Sequence, residues 1–172
     1  SSAASDVYKR QVWAPDGKSF YYLSEQNGSF NVFSRTIDNA QAKQITHHTT
    51  HPVRFLTVAN DGTLCYGWNG EIYTLGKNGK SSKVKINVSA DNESRELIKQ
   101  TLSSGATEIS PSPDGKEVAF ILHGDVYVTS TEYSTTRRIT NTPQQERNVH
   151  FSPDGRSIVY ACLLYTSDAA DE

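Results

Sequence analysis

Three histidines fall within five positions of one another, His47, His48 and His51. On a helix His47 and His51 would lie one turn apart on one face, the spacing of a zinc-binding pair. Thr49, Thr50 and Pro52 oppose a helix here, and no carboxylate or cysteine lies nearby in sequence. A solvated loop is therefore the expected setting. Asp16, Asp61, Asp114 and Asp154 offer carboxylates for acid chemistry or calcium. Each sits in Pro-Asp-Gly or, at Asp61, in Asn-Asp-Gly, where turn formation is the better account. Cys65 lies in an apolar strand pattern and reads as a buried, inert thiol rather than a nucleophile. Arg137-Arg138, followed by Ile139, reads as a solvated strand end rather than a phosphate site. No G-x-S-x-G elbow, P-loop, zincin motif or cysteine pair is present, and no serine is singled out beside a base. No residue is assigned a catalytic, cofactor-binding or metal-ligating role, and no cofactor is expected.

The elements that carry these residues repeat. Four times an Asp-Gly corner runs straight into a strand-forming burst: Phe20–Leu23, Thr63–Tyr66, Val118–Leu122 and Ser157–Tyr160. Proline presets the first corner of a turn, aspartate bonds its own backbone, and glycine supplies the positive φ that closes a hairpin. The four aspartates are 45, 53 and 40 residues apart. A period of about 40–50 residues with several strands per unit is that of a β-propeller blade.

Other landmarks keep register with the corner. Ile45 in Gln44-Ile45-Thr46 precedes Asp61 by 16 residues, and Ile139 in Arg138-Ile139-Thr140 precedes Asp154 by 15. Ile72-Tyr73 and Val126-Tyr127-Val128 occupy the same place after their glycine turns. The fold class expected is all-β, a partial propeller of about three four-stranded blades plus the start of a fourth. The blades cover about residues 12–46, 52–89, 106–140 and 147–161. Closing strands are expected at Lys43–Thr46, Lys83–Val88 and Arg137–Thr140, and tight turns at Asn27-Gly28, Asn69-Gly70 and His123-Gly124. Inner strands such as Val118–Leu122 are apolar on both sides because neighbouring sheets cover both faces. Outer strands carry charge, which discourages edge pairing. A β-sandwich is the alternative, although nothing in a sandwich demands the same landmarks at blade length. Residues 90–105 interrupt the period as an insertion, either a short helix with Leu97, Ile98 and Leu102 on one side or a strand with a long excursion.

Both ends are expected to be foreign to the fold. One codon set for Ser1–Gln11 has a reverse complement that encodes the Cys162–Glu172 peptide. The pair is identified as transposase-adapter sequence from DNA library preparation, to be excluded from fold reasoning at 1–11 and 162–172. Residues 12–161 then read as an internal slice of a longer gene, in keeping with the absence of methionine. Residues 1–11 contribute +1 and residues 162–172 contribute −3 to the formal net charge of −2, which leaves the slice neutral. A neutral, mixed-sign surface makes no case for nucleic acid or an anionic membrane. No stretch approaches the ~18 apolar residues that a spanning helix needs. Cys65 is then the only thiol of the slice, so no internal disulfide can form and redox compartment stays open.

The wording of the blades carries a resemblance. Ser112–Phe120, Gly124–Val128, Arg138–Pro143 and Phe151–Gly155 resemble the WD-like blade of TolB-type propellers. More narrowly, Val12–Lys18, Gly67–Tyr73 and Ser104–Ile109 resemble the N-terminal propeller of bacterial tricorn-protease homologues. The likeness implies a parent in which two propellers precede a PDZ-like module and a serine-peptidase core. It implies oligopeptide or protein substrates reached through the propeller channel, further blades and peptidase domains of the same chain as partners, and no role for nucleic acid or membrane. All catalytic residues of that family lie outside this segment, and its exported members favour the periplasm. Two other readings stay open: a TolB-like propeller that only binds protein partners, and the propeller of a prolyl-oligopeptidase-type enzyme.

Overall fold

A computed structural model describes residues 11–86, 108–122, 124–133 and 135–163. The insertion expected at 90–105 lies outside them. All regular structure described is β, in four antiparallel sheets. The first sheet orders β1 (Gln11–Trp13), β2 (Ser19–Ser24), β3 (Asn31–Thr36) and β4 (Asn39–Gln44) as a meander. β5 (Arg54–Val58), β6 (Leu64–Trp68), β7 (Glu71–Leu75) and β8 (Ser81–Lys83) repeat it. So do β9 (Ile109–Pro111), β10 (Glu117–Leu122), β11 (Asp125–Ser130) and β12 (Thr136–Arg138). β13 (Gln145–Phe151) and β14 (Ile158–Leu163) open a fourth sheet. The first strands of successive sheets touch in series, β1 to β5, β5 to β9 and β9 to β13. Sheets that follow one another around a shared inner edge form a propeller arc, and a sandwich does not.

The corner is the repeating device. Gly17, Gly115 and Gly155 have φ of 64, 71 and 71°, a left-handed conformation that glycine adopts without strain. Their amides donate to the carbonyls of Ala14, Ser112 and Ser152 at 3.0, 2.9 and 2.9 Å. At two corners a serine completes the ring of bonds. Ser112 Oγ donates to Asp114 at 2.7 Å and accepts from the Glu117 amide at 3.0 Å; Ser152, Asp154 and Ser157 do the same. Where alanine replaces that serine, a downstream hydroxyl serves instead, from Ser19 to Asp16 and from Thr63 to Asp61. The corners also stack. The Asp61 amide donates to the Pro113 carbonyl at 3.3 Å, and a Cβ on Gly155 would lie 3.4 Å from the Pro113 ring.

Packing follows the alternation of the strands. Val118, Phe120 and Leu122 of β10 face the second sheet, against Cys65, Ile72 and Val84. Ala119 and Ile121 face the fourth, against Val149, Phe151 and Ile158. Leu64 and Tyr66 of β6 face the first sheet, against Leu23 and Val32. Outer strands β4, β8 and β12 are largely exposed.

Several expected boundaries shift for a common reason. β4 ends at Gln44 and β12 at Arg138, because Ile45 and Thr46 both donate to the Val32 carbonyl (2.8 and 3.3 Å), as Ile139 and Thr140 do to Val126 (2.7 and 3.4 Å). The Ile-Thr landmark thus terminates a strand rather than continuing it. β8 lies earlier than Lys83–Val88 because its partner β7 begins at Glu71; pairing runs out at the Val84-to-Ile72 bond of 2.8 Å. Asn27-Gly28 sits inside a longer loop closed by Gly28 on Glu25 at 2.9 Å, whereas Asn69-Gly70 is a two-residue turn with φ of 50 and 71°. The three-residue inner strands β1 and β9 are too short to show a sequence pattern.

The corner carboxylates link stability to acidity. Ser112 and the Lys116 amide hold the Asp114 carboxyl below its ordinary value. Ser152 and the Arg156 amide do so for Asp154, and the Lys18 and Ser19 amides for Asp16. A group depressed in the folded state stabilises above its unfolded value and stops doing so as pH falls through the folded one. Thermal melts taken from neutral pH to below about pH 4 should show a falling Tm. Asp114→Asn combined with Asp154→Asn should flatten that fall; an undiminished fall in the double variant would place the acid sensitivity elsewhere.

Candidate functional site

The histidine segment forms the link between the first and second sheets. His47 and His51 are exposed, as a solvated loop requires, and Thr50 takes a φ of 73°. His48 departs from that expectation. Its amide donates to Asn31 Oδ1 at 2.8 Å and its carbonyl accepts from Asn31 Nδ2 at 2.9 Å. Asn31 is buried at the start of β3 and also accepts from Thr46 Oγ1, whose oxygen in turn accepts from the Val32 amide. One buried side chain therefore fixes the whole exit of the first sheet. The His48 ring then reaches the second sheet. Nε2 lies 2.8 Å from the Tyr66 hydroxyl, which lies 2.8 Å from Ser81 Oγ. The imidazole stacks on Trp68 at 4.4 Å between centroids, and Trp68 Nε1 donates to the His51 carbonyl at 2.9 Å.

The electrostatics of this cluster are those of a clamp. Burial, then the neighbouring His47, pulls the His48 imidazole below its ordinary value. Burial raises the Tyr66 and Tyr73 phenols. Neutral imidazole and neutral phenol share one hydrogen bond, and among the described residues no carboxylate orients the ring. Ser81 meets Tyr66 rather than His48, so the geometry of a serine nucleophile beside its base is not assembled. Among the described residues no group of three or more histidines, cysteines or carboxylates is placed to hold a metal. Cys65 is fully buried and its thiol is pushed up to about 12, which leaves it unreactive.

The third sheet uses the same exit with other residues. Asp125 stands where Asn31 does and accepts from Thr140 Oγ1 and the Thr142 amide, both at 3.3 Å. Arg138 pairs with Asp125, donates to the Thr140 carbonyl at 2.9 Å and lies 5.9 Å over the Tyr127 ring. Gln44 makes the matching bond to the Thr46 carbonyl, also at 2.9 Å. Arg138 is thus a structural tie, not a free strand end, while Arg137 is exposed and pairs with Glu117 at 3.3 Å. Glu146, in the place of Val53, is buried; its Oε1 accepts from Thr142 at 2.6 Å, and among the described residues its Oε2 has no partner.

Two openings adjoin these elements. A recess of about 270 Å³ lies beside the clamped Trp68, lined by His51, Pro52, Arg54, Gly67, Asn69 and Gly70. A second, of about 350 Å³, lies along the inner strands between Phe55, Glu108, Ile109, Asn148, Val149 and His150. Phe55, Glu108 and Asn148 hold the same place in three successive sheets. Phe55 and Asn148 sit at bulges with φ of 57 and 56°, and Glu108 Oε2 accepts from the Val149 amide at 3.0 Å. The sequence did not mark these axial residues, since their only common signal is a distance back from the corner.

No protein-family model matches this sequence, and no curated protein matches it. Solved structures do. TolB from Acinetobacter baumannii is similar at a TM-score of 0.63 and 19% identity, over 88% of this chain and 36% of its own. Oligogalacturonate lyase from Vibrio parahaemolyticus gives 0.66 and 12%, over 90% and 45%. The tricorn protease gives 0.42 and 16%, over 84% and 14%, too low a score to weigh. The chain is a partial β-propeller. It spans between about a third and a half of the length of the first two structures.

The clamp is open to a direct test. Tyr66→Phe should cost about 1 kcal/mol by removing a buried hydroxyl that has two partners. A double-mutant cycle with His48→Ala, followed by urea unfolding, should return a coupling of about 0.5–3 kcal/mol. Strict additivity would show that the ring and the phenol do not act together.

Proposed function

We propose that this chain is a non-catalytic propeller segment of a larger tricorn-like serine peptidase, where it guides or filters oligopeptides on their way to a peptidase core. The observation that carries the reading is the set of phrases Val12–Lys18, Gly67–Tyr73 and Ser104–Ile109, which resemble the N-terminal propeller of that family. The described site is in keeping with it. His48, Tyr66 and Ser81 are committed to holding two sheets together, which suits a scaffold better than a centre of bond-making. The inner wall of Phe55, Glu108 and Asn148 offers an apolar ring, a carboxylate and an amide to a chain passing along it, groups that contact a peptide without fixing one sequence.

A second reading has its own support: the TolB similarity covers 88% of this chain, which favours a propeller that binds protein partners and performs no chemistry. The propeller of a prolyl-oligopeptidase-type enzyme is the third. Extending the encoding DNA downstream separates them. A PDZ-like module followed by a peptidase domain with a serine nucleophile is the expected result. A reading frame that stops soon after the last blade would select the TolB-like reading, and a G-x-S-x-G elbow in an α/β-hydrolase domain the third.

A further inference from the structure

Two residues within strands take the left-handed conformation that suits glycine, Phe55 of β5 with φ of 57° and Asn148 of β13 with φ of 56°. For a bulky side chain such as phenylalanine this costs free energy, and it persists where the surroundings impose it. Both residues sit at bulges, between Arg54 and Thr57 and between Arg147 and His150. Each bulge has a consequence. The Phe55 ring is laid over Gly67, where a Cβ would stand 3.0 Å from Cδ2, and packs against the core between the second and third sheets. The bulge at Asn148 takes the Val149 amide out of the ladder, and that amide donates to Glu108 Oε2 at 3.0 Å. Phe55, Glu108 and Asn148 thereby line the recess of about 350 Å³, together with Ile109, Val149 and His150. It lies inside the arc, between the second, third and fourth sheets, whose inner strands touch in series. Further blades on either side would lengthen the wall and leave this recess as it is.

We propose that this recess is a subsite for a cationic side chain, lysine or arginine, on a peptide that runs along the inner wall. The inference rests on the reading of that wall as a peptide path and names the side chain it selects. Glu108 is the one carboxylate among the described lining residues, and His150 is the other titratable group there. The Val149 amide holds one Glu108 oxygen, while Oε1 has no bond among the described residues and is left for an incoming donor. Phe55, Ile109 and Val149 make the rest of the wall apolar. An aliphatic side chain would cover the carboxylate without pairing it, and taking a charge out of water unpaired is costly. An acidic one would meet like charge. A lysine or arginine suits both parts. Its methylene stem lies against the apolar wall while its head donates to Glu108 Oε1 and to the Asn148 side-chain carbonyl. The Phe55 ring adds the attraction of an aromatic for a cation. One cationic position leaves the remainder of a peptide's sequence open, as a filter requires.

Isothermal titration of the full chain tests this. The probes are alanine pentapeptides, blocked at both termini, with arginine, lysine, norleucine or glutamate at the centre. Mildly alkaline pH keeps an imidazole uncharged. The arginine and lysine peptides should bind about tenfold more tightly than the norleucine peptide, the worth of one hydrogen bond to a charged group. The glutamate peptide should bind most weakly. Glu108→Gln retains a carbonyl oxygen for the Val149 amide, so it should remove the preference and leave the norleucine affinity unchanged. Glu132→Gln, at an exposed carboxylate beyond β11, should leave the preference intact. Binding without preference for the cation, a preference that survives Glu108→Gln, or one that Glu132→Gln removes equally would each overturn the subsite and leave the peptide path standing. Failure of every peptide to bind would overturn both.

Discussion

Burial of both faces of the inner strands governs this structure. A sheet apolar on one side can rest on a single layer, but β10 presents Val118, Phe120 and Leu122 one way and Ala119 and Ile121 the other. Such a strand is satisfied only between two neighbours, and twisted sheets placed side by side in series swing around a common inner edge. The arc and its axial wall both follow from that requirement. The contrast with β2 makes the point. Its residues remain mostly half-buried, and among the described residues no sheet lies on its leading side.

Polar groups tie off the first and third sheets at their exits. The exit clip built by Asn31 and Thr46, and again by Asp125 and Thr140, takes over backbone groups that the end of a strand leaves unpaired. In the first link that clip continues into His48 and the phenol of Tyr66, so the same few atoms end one sheet and seat the next. In the third sheet Arg138 and Asp125 do the work of Gln44 and Asn31 with charge. The substitution preserves geometry while altering chemistry, which is how repeat units diverge without losing their stacking.

Much of this was legible beforehand. Asp-Gly corners and apolar bursts marked the sheets, because turn chemistry and strand alternation act over a few residues. Cys65 was legible as core for the same reason. The closing strands were misplaced by a few residues, since Ile45-Thr46 and Ile139-Thr140 look like strand but spend their amides on one shared carbonyl. In the sequence alone His48 and Arg138 look solvated. Their partners, Tyr66 at eighteen positions' distance and Asp125 at thirteen, carry no local signal of the contact.

The amino-acid order by itself determined the number of sheets, their meander and the turn at each corner, because these depend on neighbours in the chain. It also determined that the corner aspartates serve turns, since each finds its hydrogen-bond donors within three residues. Only the tertiary structure decided that the histidine loop clamps two sheets and that Phe55, Glu108 and Asn148 share one axial wall. Those are relations between segments eighteen or more residues apart. They are set by how sheets pack rather than by any residue's own preference.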